Sequence, residues 1–210
     1  MEKLDIKKIY DNPAEFEGKS VKLAGWVKSA RGGKSFGFID LNDGSCFKGI
    51  QVVFDADKIS NFEEVSKLNT GSSITAEGTL ILTPEARQPF EVQATAVNIL
   101  SATDSEYPLQ KKKMTLEFLR EQAYLRPRTN TYSAVFRIRS ECSYAIHEFM
   151  HKEGFVYVHT PILTKSDCEG GSQLFKVSTQ DIYAKNANLK PEDELFGGKV
   201  FLTPTGQLEG

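Results

Sequence analysis

From residue 19 to residue 101 hydrophobic and polar positions tend to alternate, the period of half-buried strands. In KSVKLAGWVKSA, residues 19–30, Val21, Leu23, Trp26 and Val27 mark a strand bent around Gly25. FGFIDLNDGS runs into an Asn-Asp-Gly turn at 42–44 and is followed by KGIQVVFD, so the turn chemistry predicts a hairpin. NFEEVSKL predicts a short helix with Asn61 as N-cap and Glu64 three residues on, a variant of the capping box. SSITAEGTLIL and FEVQATAVNILS supply two more strands. Three strands, a short helix and two strands, in that order, predict a five-stranded OB-type barrel, an architecture that binds oligonucleotides on one face.

After Ser101 the pattern changes. SATDSEYPLQKKK is polar and contains a proline, which predicts a linker. Onward to Arg139 the chain carries Lys111, Lys112, Lys113, Arg120, Arg126, Arg128, Arg137 and Arg139 against Glu117 and Glu121. Residues 131–153 repeat apolar positions at spacings of three and four, Val135, Ile138, Cys142, Ala145 and Phe149, so a helix is expected with Gly154 at its C′ position. FVYVH predicts a strand returning to Pro161, TKSDCEGGSQLF a Gly-rich turn, and LFKVST with KVFLT a hairpin-like pair around a polar loop. The expected organisation is an all-β OB-fold barrel over 1–102, a basic hinge over 103–130, and the start of an α+β domain, antiparallel sheet with helices, over 131–210.

Composition narrows the class. A content of 40% hydrophobic and 26% charged residues excludes disordered, collagenous and disulfide-rich chains. The formal charge of -2 means that a polyanionic partner must be met by the local basic stretch, not by overall charge. Cys46, Cys142 and Cys168 lack paired spacing, which fits free thiols in a reducing compartment. No stretch reads as a signal peptide or membrane span, so a cytoplasmic protein without a membrane partner is expected.

Two motifs suggest other chemistry. HEFMH at 147–151 matches H-E-x-x-H, the zinc-protease helix, but the third histidine of the longer pattern falls on Tyr157. At about 100° per residue, His147 and His151 lie opposite the Val135 to Phe149 stripe, away from any shaped cavity, so no metal is expected. GKS at 18–20 and 33–35 lacks the first glycine of a phosphate loop, since Pro13 and Lys28 stand there.

Three stretches carry a family resemblance. GWVKSAR with FGFIDLNDGSCFKGIQVV resembles the anticodon-binding barrel of the aspartyl/asparaginyl branch of class II aminoacyl-tRNA synthetases. LRPRTNTYSAVFRIRS with GFVYVHTPILTKSDCEGGSQLFKV is similar to the hinge and first signature motif of that class, with Pro161 as the motif's central proline and part of the dimer contact. YLRPRTN, DCEGG and GQLEG resemble the asparaginyl members in particular. The resemblance implies ATP-dependent aminoacylation of tRNA(Asn) with asparagine, with ATP and magnesium serving the full-length enzyme, in a homodimer. It places Phe38, Gln51 and Glu91 on the anticodon, with Arg31 and Lys34 as phosphate contacts. Glu169, in a lid loop with Gly170 and Gly171, then Thr205, Gln207 and Glu209 would hold the amino acid. The family's second and third motifs, with their ATP-binding arginines, are expected beyond GQLEG, so the 210 residues resemble an N-terminal portion that is inactive alone. The alternative is a standalone OB-fold tRNA-binding protein with residues 131–210 as a dimerisation tail.

Overall fold

The computed structural model describes residues 2–86, 88–112, 114–166, 174–181, 183 and 190–208. They form two compact units, residues 1–141 and 142–210. Two short helices open the first unit, α1 (Ile6–Asp11) and α2 (Pro13–Phe16), which the period-two reading of the chain did not anticipate. Ile6 and Ile9 of α1 are fully buried in the barrel's core cluster, so α1 packs as part of the barrel.

The barrel comprises β1 (Ser20–Gly32), β2 (Phe36–Asn42), β3 (Ile50–Asp55), β4 (Ser73–Leu82) and β5 (Phe90–Ser101), with α3 (Phe62–Ser66) between β3 and β4. It closes in the order β1-β2-β3-β5-β4, with β4 returning to β1. Every pairing is antiparallel except β3 with β5, which is parallel and spans Gln51↔Glu91, Val52↔Val92 and Val53↔Gln93. The alternation read from the sequence fills the interior: Leu23, Ile39, Leu41, Ile50, Val52, Phe54, Ile74, Leu80 and Val92 have no solvent exposure. β1 is long enough to serve two neighbours because its register shifts between Val27 and Ser29, a bulge that bends it around the barrel.

α3 forms where the sequence predicts, yet its cap differs. Asn61 makes no side-chain cap; its Nδ2 donates to the Val97 carbonyl on β5 at 2.9 Å. The strand carbonyl competes for the amide, which converts a local helix signal into a rivet between α3 and the barrel.

Beyond the barrel, α4 (Leu116–Glu121) is capped by Thr115, whose side chain accepts from the Phe118 N–H. α5 runs Asn130–Lys152, and Gly154 beyond its end has a φ of 87°, the left-handed conformation that glycine adopts without strain. Leu109, Leu119, Leu125 and Tyr132 form a small second core.

The second unit holds a three-stranded sheet, β6 (Leu163–Thr164), β7 (Lys176–Val177) and β8 (Val200–Leu202), with β8 central and both pairings antiparallel. β7 and β8 are the expected hairpin-like pair. FVYVH is not a strand: residues 155–161 carry no ladder, and pairing starts only at Leu163. β-branched and aromatic residues favour a strand only where a neighbour supplies hydrogen bonds and packing, and among the described residues none lies alongside. No described helix is long and apolar enough to cross a membrane.

Candidate nucleic-acid interface

The outer surface of the barrel is set by the same alternation that fills its core. Because Ile39 and Leu41 point inward, Phe36 and Phe38 point outward, with exposures of 52% and 37%, and their rings meet edge-to-face at 5.5 Å. Asp40 pairs with Gln51 and Phe38 with Val53, so the outward residues of β2 and β3 form one surface. The parallel seam extends it: Gln51 faces Glu91, and Gln51 Nε2 donates to Glu91 Oε2 at 2.9 Å. That bond fixes the amide and leaves its carbonyl oxygen and the second carboxylate oxygen as oriented acceptors. Gln88 steadies the seam by accepting from the Gln51 N–H at 2.9 Å. Arg31 on β1 pairs with Phe38, which brings a guanidinium to the edge of the aromatic pair. Lys34 lies in the exposed β1–β2 turn, outside this paired surface.

Sequence reasoning missed several neighbours. Asp40 belongs to the face, and its phase with Phe36 and Phe38 is the signal that would have found it. Its carboxyl sits above the usual carboxylate range because burial disfavours the charged form, with Lys28 opposing, and its Oδ1 is buried without a hydrogen-bond partner. Trp26 was read only as a strand residue; the Arg128 guanidinium lies over its ring at 4.6 Å.

The basic stretch after the barrel proves partly structural. Lys111 Nζ donates to the Ala30 carbonyl at 2.7 Å, Arg137 to the Gly44 carbonyl at 2.8 Å, and Arg128 to the Tyr107 hydroxyl at 3.3 Å. Tyr107 itself presses on Gly71, where φ is 90° and an added Cβ would lie 2.4 Å from the ring. Lys111 thus ties the hinge to β1, the Tyr107 ring seats it on the α3–β4 loop, and Arg137 ties α5 to the β2–β3 loop. Lys113 lies outside the described residues.

Of the amino-acid pocket named above, Glu169 and Glu209 lie outside the described residues, as do Gly170 and Gly171. Thr205 and Gln207 stand in the turn after β8, where the Gln207 N–H donates to Thr205 Oγ1 at 3.2 Å. Gly206 between them packs so close to Thr160 that a Cβ would fall 2.6 Å from its hydroxyl. Pro161 is exposed and follows directly. Unread in the sequence was Glu194, only 7% exposed, which receives Lys176 Nζ at 2.8 Å, the Ser178 hydroxyl at 2.9 Å and the Thr179 N–H at 3.3 Å. Hydrogen bonding from Lys176 foremost holds its carboxyl below the usual range. His147 packs edge-to-face on Tyr157 at 4.9 Å.

Residues 21–100 match the family of OB-fold nucleic acid binding domains, and residues 115–196 match the tRNA synthetases class II (D, K and N). The chain thus carries an anticodon-type OB barrel followed by the start of a class II synthetase catalytic domain. Its relatives are asparagine–tRNA ligases: it is 50% identical over 207 residues to that of Clostridium perfringens and 51% identical over 212 residues to that of Clostridium acetobutylicum. Those alignments cover 97% and 99% of this chain but 44% and 46% of the relatives, so the chain spans less than half their length. The asparaginyl-tRNA synthetase of Pyrococcus horikoshii, solved with asparaginyl-adenylate, superposes with a TM-score of 0.79 at 26% identity, over 99% of this chain and 44% of that one.

Proposed function

We propose that the barrel reads the anticodon of tRNA(Asn) for an asparagine–tRNA ligase, the whole of which attaches asparagine to that tRNA at the expense of ATP. The observation that carries the reading is the oriented Gln51–Glu91 pair on the parallel seam, sharing one outer surface with the exposed Phe38. An aromatic face stacks an unpaired base, while an amide and a carboxylate read its donor and acceptor edges. Arg31, beside Phe38 in register, contacts the phosphate between bases, and Lys34 follows in the turn.

In the complete enzyme the asparagine carboxylate attacks the α-phosphate of ATP and expels pyrophosphate, and the acyl group of the resulting adenylate passes to the 3′-terminal ribose hydroxyl of the tRNA as AMP leaves. Thr205 and Gln207 would orient the amino acid, with Glu169 over it and Glu209 at its side-chain amide. Magnesium would offset phosphate charge. No group of three or more His, Cys, Asp or Glu side chains among the described residues is arranged to hold a metal ion. Assembly as a cytoplasmic homodimer through α5 and the segment to Pro161 belongs to the same proposal. Its support is the exposure of Ile138, Phe149, Val156 and Tyr157.

The test is binding of a tRNA transcript with a GUU anticodon against the same transcript with the anticodon changed. Tighter binding of the first is expected, and Phe38→Ala should cost about 1–3 kcal/mol on the GUU transcript. Equal affinity for both transcripts, or an unaffected Phe38→Ala variant, would remove the reading.

A further inference from the structure

Beside the reading face lies a groove of ≈ 1180 Å³, walled by β1, the β2–β3 loop and the hinge segment. Its lining carries six cationic side chains, Lys28, Arg31, Lys111, Lys112, Arg128 and Arg137, against one carboxylate, Asp40. Among the described residues none of the six forms an ion pair with a carboxylate. Four are held by neutral acceptors: Lys28 by Asn130 Oδ1 at 2.7 Å, Lys111 and Arg137 by backbone carbonyls, and Arg128 by the Tyr107 hydroxyl. A neutral acceptor fixes where a cation points and leaves its charge uncompensated. The groove is therefore a row of preoriented positive charges with almost no internal neutralisation.

Aromatic rings share the lining with these cations. Lys28 Nζ stands 5.9 Å from the centre of the exposed Phe47 ring, and Trp26, Tyr107 and Phe136 also line the groove. Positive charge interleaved with exposed rings is the composition that holds single-stranded nucleic acid. The groove is also continuous with the reading face, because Arg31 lines it while pairing with Phe38, and Asp40 lines it while pairing with Gln51.

We propose that this groove is a second RNA-binding site, which takes the ribose-phosphate backbone of the strand leaving the reading face and stacks one unpaired base on Phe47. The inference rests on the proposed anticodon reading and adds to it a contact that is blind to sequence. Base contacts on β2, β3 and β5 choose the RNA; the groove supplies affinity through released counterions.

Lys112→Ala and Phe47→Ala test it, since both side chains are exposed and outside the core. Binding of the GUU transcript and of its anticodon-changed counterpart is measured across a salt series, with thermal melting to verify the fold. Lys112→Ala should weaken both transcripts by the same factor and reduce the salt slope by about one. Phe47→Ala should weaken both by about 5- to 150-fold with the slope unchanged. Wild-type affinity and slope in both variants would overturn the groove while leaving the reading face intact. A loss confined to the GUU transcript would overturn the backbone assignment and move these residues to base reading. If the unaltered protein binds neither transcript, the anticodon reading and the groove fall together.

Discussion

The barrel and the second unit use the same residue types to opposite ends. In the barrel, β-branched and aromatic side chains fall on alternate positions of five strands that close on one another, and Ile39, Val52 and Phe54 lose all contact with solvent. In residues 142–210 comparable residues, Ile146, Phe149, Val156 and Tyr157, stay exposed, and the strands are two or three residues long. The contrast is one of partners and not of propensity. A barrel supplies a neighbour to every strand from within the sequence that encodes it; FVYVH has a strand's composition and no described neighbour.

Substitutions of one residue type in the two regions should break this comparison apart if it is wrong. Phe54→Ala, in the fully buried barrel interior, should lower stability by about 3–5 kcal/mol in denaturant titration, because it opens a cavity that closed strands cannot fill. Gly71→Ala should cost about 1–3 kcal/mol through a positive φ and collision with the Tyr107 ring. Trp26 is the sole tryptophan, so release of the Arg128 stack should register directly in its fluorescence. Phe149→Ala, on a side chain 62% exposed in α5, should change stability of the monomer by no more than about 0.5 kcal/mol.

Acid should sharpen the same contrast. Glu194 has a folded-state affinity for protons below its unfolded one, so its contribution is present above the unfolded pKa, about 4.3, and is lost as pH falls through the lower folded value. Protection of the β7 and β8 amides, taken relative to the intrinsic exchange rate at each pH, should therefore fall as pH drops below that range, and Glu194→Gln should abolish the dependence. An unchanged pH profile in the variant would show that Lys176 and Ser178 contribute nothing through this carboxylate. Glu77 is likewise held low by Lys22, but that pair lies open to solvent, where screening leaves it little weight.

Legibility followed the range of the interactions. The barrel strands, α3 and α5 were readable because alternation, turn residues and the spacing of Val135 to Phe149 are local. The outward direction of Phe38 followed from the inward direction of Ile39 and Leu41 by the same logic. What was not readable depends on pairs far apart in the chain: Asn61 turning from its helix to Val97, Arg128 stacking on Trp26, Tyr107 seated on Gly71, Glu194 gathering Lys176 and Ser178. The basic stretch illustrates the limit best. Composition identified its charge, but only the fold shows that Lys111, Arg128 and Arg137 line the groove while donating to neutral acceptors.

The parallel seam between β3 and β5 also orders events in time. β2 and β3 are joined by a short loop and can pair early, whereas β5 meets β3 across three residue pairs only after α3 and β4 have been placed between them in sequence. Gln51 and Glu91 sit on that last junction. During synthesis, a nascent chain ending anywhere before residue 91 has no paired amide and carboxylate to offer. On the proposed anticodon reading, the capacity to discriminate one RNA from another would arise together with closure of the barrel, and incompletely folded molecules would not sequester tRNA by this pair.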